Sequence, residues 1–226
     1  GARGGGGEGR GFRDALVVAQ FALAVTVVSG AGLLARSFVE LRSVELGIDT
    51  ESVVHFAVRL PDERFDQRDR ADYVERLTLA LQAIPGVQAV GGTTAPPFSL
   101  MRPSNFVARS DREPDRQEDF QPVSWRAVTP GYFEAAGIPV LAGRAFRRED
   151  MGERGARVPN PPVIIDQALA EALFPDSNPV GRRVTWFLPG GQQCEIVGVV
   201  ATVRDERVEE PPRPRIYRPF TYTAWD

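Results

Sequence analysis

Apolar residues concentrate in one long segment close to the amino terminus. Residues 15–35 carry no charged side chain, with Asp14 before them and Arg36 after them. At about 1.5 Å per helical residue, such a run reaches about 30 Å, which is the thickness of a bilayer's hydrocarbon core. Helical spacing continues beyond Arg36, so the pattern predicts a transmembrane helix with its extension over residues 15–41. A Gly- and Arg-rich linker is predicted over residues 1–14.

Two other interpretations of this segment are weaker. A cleaved secretory signal has an apolar stretch of only about 7–15 residues and a small-residue cleavage site. Residues 30–35 read GAGLLA and fit the G-x-G-x-x-A dinucleotide pattern. That pattern requires a βαβ unit with an acidic residue at the end of its second strand, whereas Asp49 and Glu51 precede the next strand-like run. We therefore prefer the spanning helix.

Small residues recur at steps of four along the apolar segment. Ala22, Thr26 and Gly30 fall on one helical face, and Gln20 adds a polar group nearby. In lipid, small residues at this spacing let a second helix approach closely, and a buried amide seeks a partner. The sequence predicts a helix-packing face at these four residues, although a lone anchor with incidental small residues stays open. The number of arginines on each side of the segment slightly favours a cytoplasmic amino terminus.

The rest of the chain alternates between strand-like and helix-like patterns. Predicted strands cover residues 53–60, 87–90, 121–128, 162–165, 184–188, 195–203 and 215–219, and predicted helices cover residues 69–84, 131–136 and 167–174. This alternation indicates an α+β domain with a mixed sheet over residues 45–226. The charge-rich residues 108–119 are predicted to form a solvated loop, and residues 138–193 could form an inserted subdomain.

Composition and candidate chemistry argue against catalysis. The net charge is −3, with 27 basic residues and 30 acidic ones, so no basic field suggests nucleic acid. His55 is the only histidine and Cys194 the only cysteine, and both occur in strand-like apolar runs. A Ser–His pair, a multi-His metal site and an internal disulfide are therefore not expected. The acidic clusters at 111–119 and 205–210 are typical of solvated surface. No Walker motif or G-x-S-x-G elbow is present, so neither ATP hydrolysis nor a cofactor is predicted.

Short motifs in a fixed order across residues 13–220 carry a family resemblance. They comprise Gln20 with GAGLL at 30–34 and RSF at 36–38, LGID at 46–49, RLP at 59–61, AIPGV at 83–87, VTPGYF at 128–133, GIP at 137–139, GR at 143–144, NPVGRR at 178–183, VGVV at 197–200, VR at 203–204 and IYRP at 216–219. Together they resemble the first helix and the periplasmic core domain of a MacB/FtsX-type ABC transporter permease. The Gly-rich start resembles the junction before the second half of a duplicated acidobacterial permease, which predicts that the chain is part of a longer polypeptide.

The resemblance implies a division of the domain and a set of structural positions. Residues 53–137 with 194–219 would form a Porter-like part, and residues 140–193 a Sabre-like insertion. The family's structural motif positions fall on Pro85, Gly86, Pro130, Gly131, Tyr132, Phe133, Gly137, Gly143, Arg144, Pro179, Gly181, Gly198, Tyr217 and Pro219. In the family, a further strand and helix follow the last of these motifs.

The resemblance also implies a non-catalytic role in the bacterial inner membrane, with the large domain in the periplasm. A separate cytoplasmic ATP-binding subunit would drive movement that the domain relays for export or mechanotransmission. Implied partners are that subunit, other permease helices or a second permease copy, and a periplasmic adaptor, lipoprotein or cell-wall enzyme. Two alternatives stay open. A membrane-anchored binding or sensor module would need one concave pocket, and a tethered hydrolase would need two converging carboxylates.

Overall fold

A computed structural model describes residues 8–42, 47, 52–61, 64–65, 67–96, 99, 103–111, 120–152, 159–187, 191–204 and 212–222. The predicted linker at 1–7, most of the charged loop at 108–119, the acidic cluster at 205–210 and most of the motif at 46–49 lie outside these residues. The chain divides into two compact units, Gly1–Glu45 and Leu46–Asp226.

The first unit contains a single unbroken helix, α1, over Glu8–Arg42. It begins seven residues before the predicted start because residues 8–14 contain no proline and continue the helix from its apolar part. The helix passes through Gly30 and Gly32 without a break. The continuous helix predicted over residues 15–41 is therefore confirmed, and the strand–helix geometry that a dinucleotide fingerprint requires is absent from this described segment.

The second unit is built on one mixed sheet of seven strands. Its elements in chain order are α2 Gln67–Gln82, β1 Ser104–Arg109, β2 Gln121–Val128, α3 Tyr132–Ala135, β3 Val140–Gly143, β4 Pro162–Asp166, α4 Gln167–Leu173, β5 Arg183–Trp186, β6 Gln192–Val200 and β7 Arg215–Pro219. The α+β class with a mixed sheet is confirmed.

The sheet closes on itself. Its strands lie in the order β3-β6-β4-β7-β2-β1-β5, and β5 also pairs with β6. The two parallel pairs are β2–β7 and β4–β6, and the other pairs are antiparallel. Six strands therefore form a closed circuit, to which β3 adds on the edge of β6 that β5 also uses. Since closure pairs strand edges that an open sheet would expose, it removes a common aggregation risk.

The apolar core has two parts, on the two faces of the sheet. The larger cluster joins inward side chains of the circuit to α4 and contains Val107, Val123, Val163, Ile165, Leu169, Leu173, Phe174, Val184, Trp186, Cys194, Ile196, Val199 and Ile216. The smaller cluster lies on the other face and contains Val128, Tyr132, Phe133, Ile138, Phe146, Ile164, Val200, Val203 and Tyr217. Alternation along β4 explains the division, because Val163 and Ile165 belong to the first cluster and Ile164 to the second.

Several predicted elements differ from the structure. Residues 53–60 and 87–90 do not form strands, although their sequences are strand-like, because no neighbouring strand of the described chain pairs with them. The strands β1 and β3 were not predicted, since one is half polar and the other is only four residues long. The strands β2 and β7 have the predicted bounds, and α2, α3, α4, β4, β5 and β6 fall within a few residues of theirs.

Strands from both proposed parts of the domain share this one sheet. The strands β3, β4 and β5 come from residues 140–193, and they pair with β1, β6 and β7 from the flanking parts. The division into Porter-like and Sabre-like parts stays a prediction.

A close backbone approach joins β3 to β6. Gly143 lies opposite Gly198 in the register, and its φ of +69° is a conformation that other residues rarely adopt. A Cβ on Gly198 would lie 2.2 Å from the carbonyl oxygen of Arg144, and a Cβ on Gly143 would lie 2.3 Å from that of Val197. Both positions therefore require glycine.

We predict that Gly198→Ala destabilises the second unit by about 2–4 kcal/mol, because the new methyl group meets backbone that cannot move without breaking the β3–β6 pairing. Urea denaturation measures the change. Gly92→Ala is the matched control, since a Cβ there would meet the Thr129 side chain at 3.4 Å, an ordinary contact distance. Equal midpoints for the two variants would contradict the prediction.

Candidate functional site

The first candidate functional element is α1. Its segment Gly11–Val39 spans 29 residues and is long and apolar enough to cross a membrane. Its side chains are exposed, including Phe21, Leu23, Val28 and Leu34, so within the described residues no protein surface covers them. A helix that is apolar on all sides needs an apolar environment around it, which a bilayer supplies.

The four residues predicted to form a packing face lie on this exposed helix. The Thr26 hydroxyl donates a hydrogen bond to the Ala22 carbonyl oxygen at 2.8 Å, so its polar group is satisfied inside the helix. A Cβ on Gly30 would meet nothing within 4 Å. The surface at Ala22, Thr26 and Gly30 is therefore shallow and free of unsatisfied hydroxyl groups. That helix packing uses this face, with Gln20 beside it, stays a prediction.

The second candidate element is the extended segment 53–60. Its residues are exposed except for the half-buried Leu60, and Val54 is 88% and Phe56 54% exposed. Val53 and Val58 are also exposed. The sequence has the β-branched and aromatic residues of a strand, yet no strand of the described chain pairs with it. Extended apolar backbone of this kind favours association with another strand.

We predict that the second unit, produced as residues 46–226, self-associates at micromolar concentrations because of this segment. The double change Val54→Lys and Phe56→Lys should reduce the association, since charge on an unpaired strand opposes pairing. Sedimentation velocity over a concentration series measures it. The double change Asp176→Lys and Glu171→Lys places charge elsewhere on the exposed surface and is the control. If the unit stays monomeric at every concentration, residues 53–60 do not mediate self-association.

The two candidate reactive residues occupy different environments. His55 is exposed and lies outside any strand, so the mid-strand position that its strand-like run predicts is wrong, because no strand of the described chain pairs with this segment. Cys194 lies in β6 and is fully buried in the larger core cluster, in agreement with its predicted packing role. Burial raises the pKa of the Cys194 thiol to about 11, although the positive charge of Arg218 acts in the opposite direction. A buried, protonated thiol is a poor nucleophile.

We predict that Cys194 does not react with a maleimide in the folded protein and reacts fully after denaturation. The reason is burial together with the raised pKa, because the thiolate is the reactive form. Mass spectrometry of labelled protein measures the extent. In a Cys194→Ser background, His55→Cys should label under native conditions and serves as the control. Rapid native labelling of Cys194 would mean that the core opens readily.

A buried polar junction lies where β4, α4 and β7 meet. Asp166 ends β4 and caps α4, and its Oδ1 accepts hydrogen bonds from the backbone N–H groups of Leu169 and Arg215, both at 2.9 Å. The Arg215 side chain reaches across to β2, where Nε donates to Ser124 Oγ at 2.9 Å. Thr202 also hydrogen-bonds Asp166, and its Oγ1 accepts from the Ala168 N–H at 2.9 Å. This network joins five segments of the unit.

Sequence reasoning found only part of this junction. Asp166 lies between the predicted strand at residues 162–165 and the predicted helix at residues 167–174, and an Asp in this position is the usual signal of an N-cap. Arg215 was expected only as the first residue of a strand. Arg215 is only 2% exposed because β7 lies between β2 and β4, and the local sequence pattern does not contain this strand order.

The family-motif residues on α3 and its surroundings form one packed group. Gly131 has a φ of +83° and a Cβ there would lie 2.6 Å from the Val90 carbonyl oxygen. The rings of Tyr132, Phe133 and Tyr217 contact one another, and Phe133 meets Tyr217 edge to face with ring centroids 4.9 Å apart. Pro130 precedes this group, and Gly137 follows α3 with a positive φ.

The other motif residues lie at turns and strand ends. The guanidinium of Arg144 binds Asp150, with Nη2 2.9 Å from Oδ1. The Gly181 N–H donates to the Ile196 carbonyl oxygen at 2.8 Å and holds the turn before β5 on β6. The remaining positions are Pro85 and Gly86 after α2, Gly143 and Gly198 at the β3–β6 approach, Pro179 before β5 and Pro219 at the end of β7. That the family-motif positions have structural roles stays a prediction.

The outer face of β1 and β5 carries exposed aromatic side chains. Phe106 and Phe187 are exposed and lie in edge contact with ring centroids 6.4 Å apart, and Phe120 contacts Phe187 at 5.1 Å. Pro122 pairs opposite Phe106 on β2. We call Phe106, Phe120 and Phe187 the aromatic strip. Exposed aromatic clusters are enriched at protein interaction surfaces.

Within the ranges that the structure describes, no group of three or more His, Cys, Asp or Glu side chains could hold a metal ion. The buried polar groups of the junction serve backbone and side-chain hydrogen bonds of the fold. The described residues therefore offer exposed apolar surfaces for association, together with a hydrogen-bonded sheet.

Comparison with protein families decides what this arrangement represents. A family model described as the MacB-like periplasmic core domain matches residues 15–225. The chain belongs to this family. The match includes α1 from residue 15 onward and the sheet unit as far as residue 225, so both elements are part of the family's pattern. Among curated proteins, no relative matches the chain.

Solved structures of three domains are similar to the chain. The periplasmic region of MacB from Actinobacillus actinomycetemcomitans is 18% identical, with a TM-score of 0.43 over 64% of this chain and 53% of that one. The extracellular domain of the noncanonic ABC-type transporter YknZ from Gram-positive bacteria is 24% identical, with a TM-score of 0.40 over 65% and 62%. A domain of a proposed permease protein from Porphyromonas gingivalis is 16% identical, with a TM-score of 0.43 over 66% and 58%. This chain thus spans less than two thirds of each, and the family assignment rests on the match to residues 15–225.

Proposed function

We propose that the chain is a non-catalytic part of a MacB/FtsX-type ABC transporter permease. In this proposal α1 crosses the inner membrane and the Leu46–Asp226 unit lies on the periplasmic side. The observation that carries the proposal is the family match, which covers an apolar helix of membrane-spanning length and the sheet unit in one continuous segment.

The chemistry of the described residues supports a non-catalytic role. The single thiol is buried and protonated, and the single histidine is exposed with no metal-binding cluster around it among the described residues. The buried carboxylate of Asp166 caps a helix. Energy for transport would come from a separate cytoplasmic subunit that binds and hydrolyses ATP, and the sheet unit would relay the movement outside the cytoplasm for export or mechanotransmission.

A closed sheet is suited to relaying movement. Its strands are hydrogen-bonded around the whole circuit, and such a body resists internal shear better than an open sheet with free edges. The remaining partners of the proposal are other permease helices or a second permease copy in the membrane. A periplasmic adaptor, a lipoprotein or a cell-wall enzyme would bind outside it.

A membrane-anchored binding or sensor module is the second candidate function. The aromatic strip favours it, because exposed rings on a rigid sheet are a common way to bind a partner. The two candidates differ in what the membrane helix does. A permease helix packs against other helices, whereas a simple anchor only holds the domain at the membrane.

We predict that Gly30→Leu in the intact protein lowers recovery of the nucleotide-binding subunit about tenfold when the complex is purified from its native membranes. Helix packing at small residues contributes about 1–2 kcal/mol, and a leucine there separates the backbones. Gly32→Leu is the matched control, because Gly32 lies on another side of α1 and a Cβ there also meets nothing within 4 Å.

The outcomes separate the two functions. Loss for Gly30→Leu with normal recovery for Gly32→Leu supports helix packing within a permease. If a nucleotide-binding subunit copurifies equally with both variants, the predicted packing face is wrong. If no nucleotide-binding subunit copurifies with the unchanged protein, the permease proposal fails and the anchored module replaces it.

A further inference from the structure

We propose that Thr202 couples the chain segment that follows α1 to the start of α4, so that a displacement of Gly47 weakens the cap of that helix. Gly47 belongs to the second unit and follows Arg42, the last residue of α1, by five positions. The role of this coupling in transport rests on the proposed function, because Gly47 is the first described residue after α1 through which movement of that helix would reach the sheet unit.

Gly47 lies against the loop that follows β6. A Cβ on Gly47 would lie 3.1 Å from the Thr202 carbonyl oxygen and 3.7 Å from Val203 Cα. The φ of Gly47 is +73°, a conformation that favours glycine. Because Gly47 has no side chain, its backbone contacts the loop directly. A displacement of Gly47 toward the loop therefore acts on the Thr202 backbone without a flexible side chain between them.

The loop after β6 is anchored on both sides of Thr202. The Ala201 N–H donates a hydrogen bond to the Pro139 carbonyl oxygen at 3.0 Å. Val203 is 2% exposed and belongs to the smaller core cluster. Closely packed residues transmit strain to their neighbours, so the loop has little freedom to absorb a displacement. Movement of the Thr202 backbone therefore changes the contacts of the Thr202 side chain.

The Thr202 side chain bonds to the start of α4. Its Oγ1 accepts a hydrogen bond from the Ala168 N–H at 2.9 Å, and the same hydroxyl bonds Asp166. Asp166 in turn accepts from the N–H groups of Leu169 and Arg215, both at 2.9 Å. The first N–H groups of a helix have no partner inside the helix, so Ala168 and Leu169 depend on these side chains. Moving Thr202 thus removes the partner of Ala168 and disturbs Asp166, which also holds the start of β7.

The experiment measures hydrogen exchange of backbone amides in the full chain in detergent micelles by nuclear magnetic resonance. Thr202→Val keeps a branched side chain and removes the hydroxyl, so the Ala168 amide should exchange about tenfold faster. Gly47→Ala should accelerate exchange at Ala168 and Leu169 to a similar extent, because a methyl group 3.1 Å from the Thr202 carbonyl oxygen displaces that residue.

Gly86→Ala is the matched control for Gly47→Ala. The φ of Gly86 is +92°, but a Cβ there would meet nothing within 4 Å. Both variants therefore strain a positive φ, and only Gly47→Ala adds the contact with the loop. Gly86→Ala should leave the exchange of Ala168 unchanged. If Gly47→Ala does not fold, Gly47→Asn takes its place with Gly86→Asn as control, since Asn tolerates positive φ.

The double variant Gly47→Ala with Thr202→Val tests whether both changes act through the same hydroxyl. Ala168 in the double variant should exchange no faster than in Thr202→Val alone, because residues in one network are not additive. If the two effects multiply independently, or if Gly47→Ala leaves the exchange of Ala168 unchanged, the coupling does not exist.

These measurements involve no other subunit, so they can fail independently of the proposed function. Absent coupling together with normal recovery of a nucleotide-binding subunit would overturn the coupling and leave the permease proposal in place. Coupling in a protein that recovers no such subunit would support the coupling as a property of the fold and remove its role in transport.

Discussion

The strand β6 is the element on which the rest of the sheet unit depends. It pairs with β4 along one edge, and along the other edge it pairs first with β5 and then with β3. Because β5 and β3 share this edge of β6, β5 closes the circuit and β3 is added beside it. The change of partner takes place between Glu195 and Gly198, where the register with β4 also shifts. Glycine at this point lets the Arg144 backbone approach to a distance that any side chain would prevent.

Closure also determines where polar groups can be buried. The larger core cluster contains the thiol of Cys194, and the guanidinium of Arg218 lies over the ring of Trp186 in the same cluster. On the other face, Ser124, Arg126, Asp166 and Arg215 are buried together with the aromatic group around Tyr132. These polar side chains meet because parallel pairing places the start of β7 beside β2, while antiparallel pairing places it beside the end of β4. The junction is a consequence of strand order, and it ties segments that are far apart in sequence.

The sequence predicted the elements whose formation depends on local pattern. Residues 121–128 and 215–219 contain β-branched and aromatic residues and have a proline close to one end, and α4 has an Asp cap before it and a proline after it. Residues 53–60 have the same local pattern and nevertheless form no strand, because strand formation also needs a neighbour to receive the hydrogen bonds. The missed strand β3 shows the converse, since four residues without a distinctive pattern become a strand when β6 offers a free edge.

The same distinction between local pattern and strand pairing applies to the candidate sites. Burial of Cys194 could be predicted because the strand-like run at residues 194–200 is mostly apolar. The environment of His55 could not be predicted, because it depends on a pairing that residues 53–60 do not make within the described chain. The Asp166 junction needed the strand order, which short-range patterns do not contain. Among the described residues, α1 has no apolar surrounding and residues 53–60 have no strand partner. Burying each requires a different environment, a bilayer for the first and a hydrogen-bonding strand for the second.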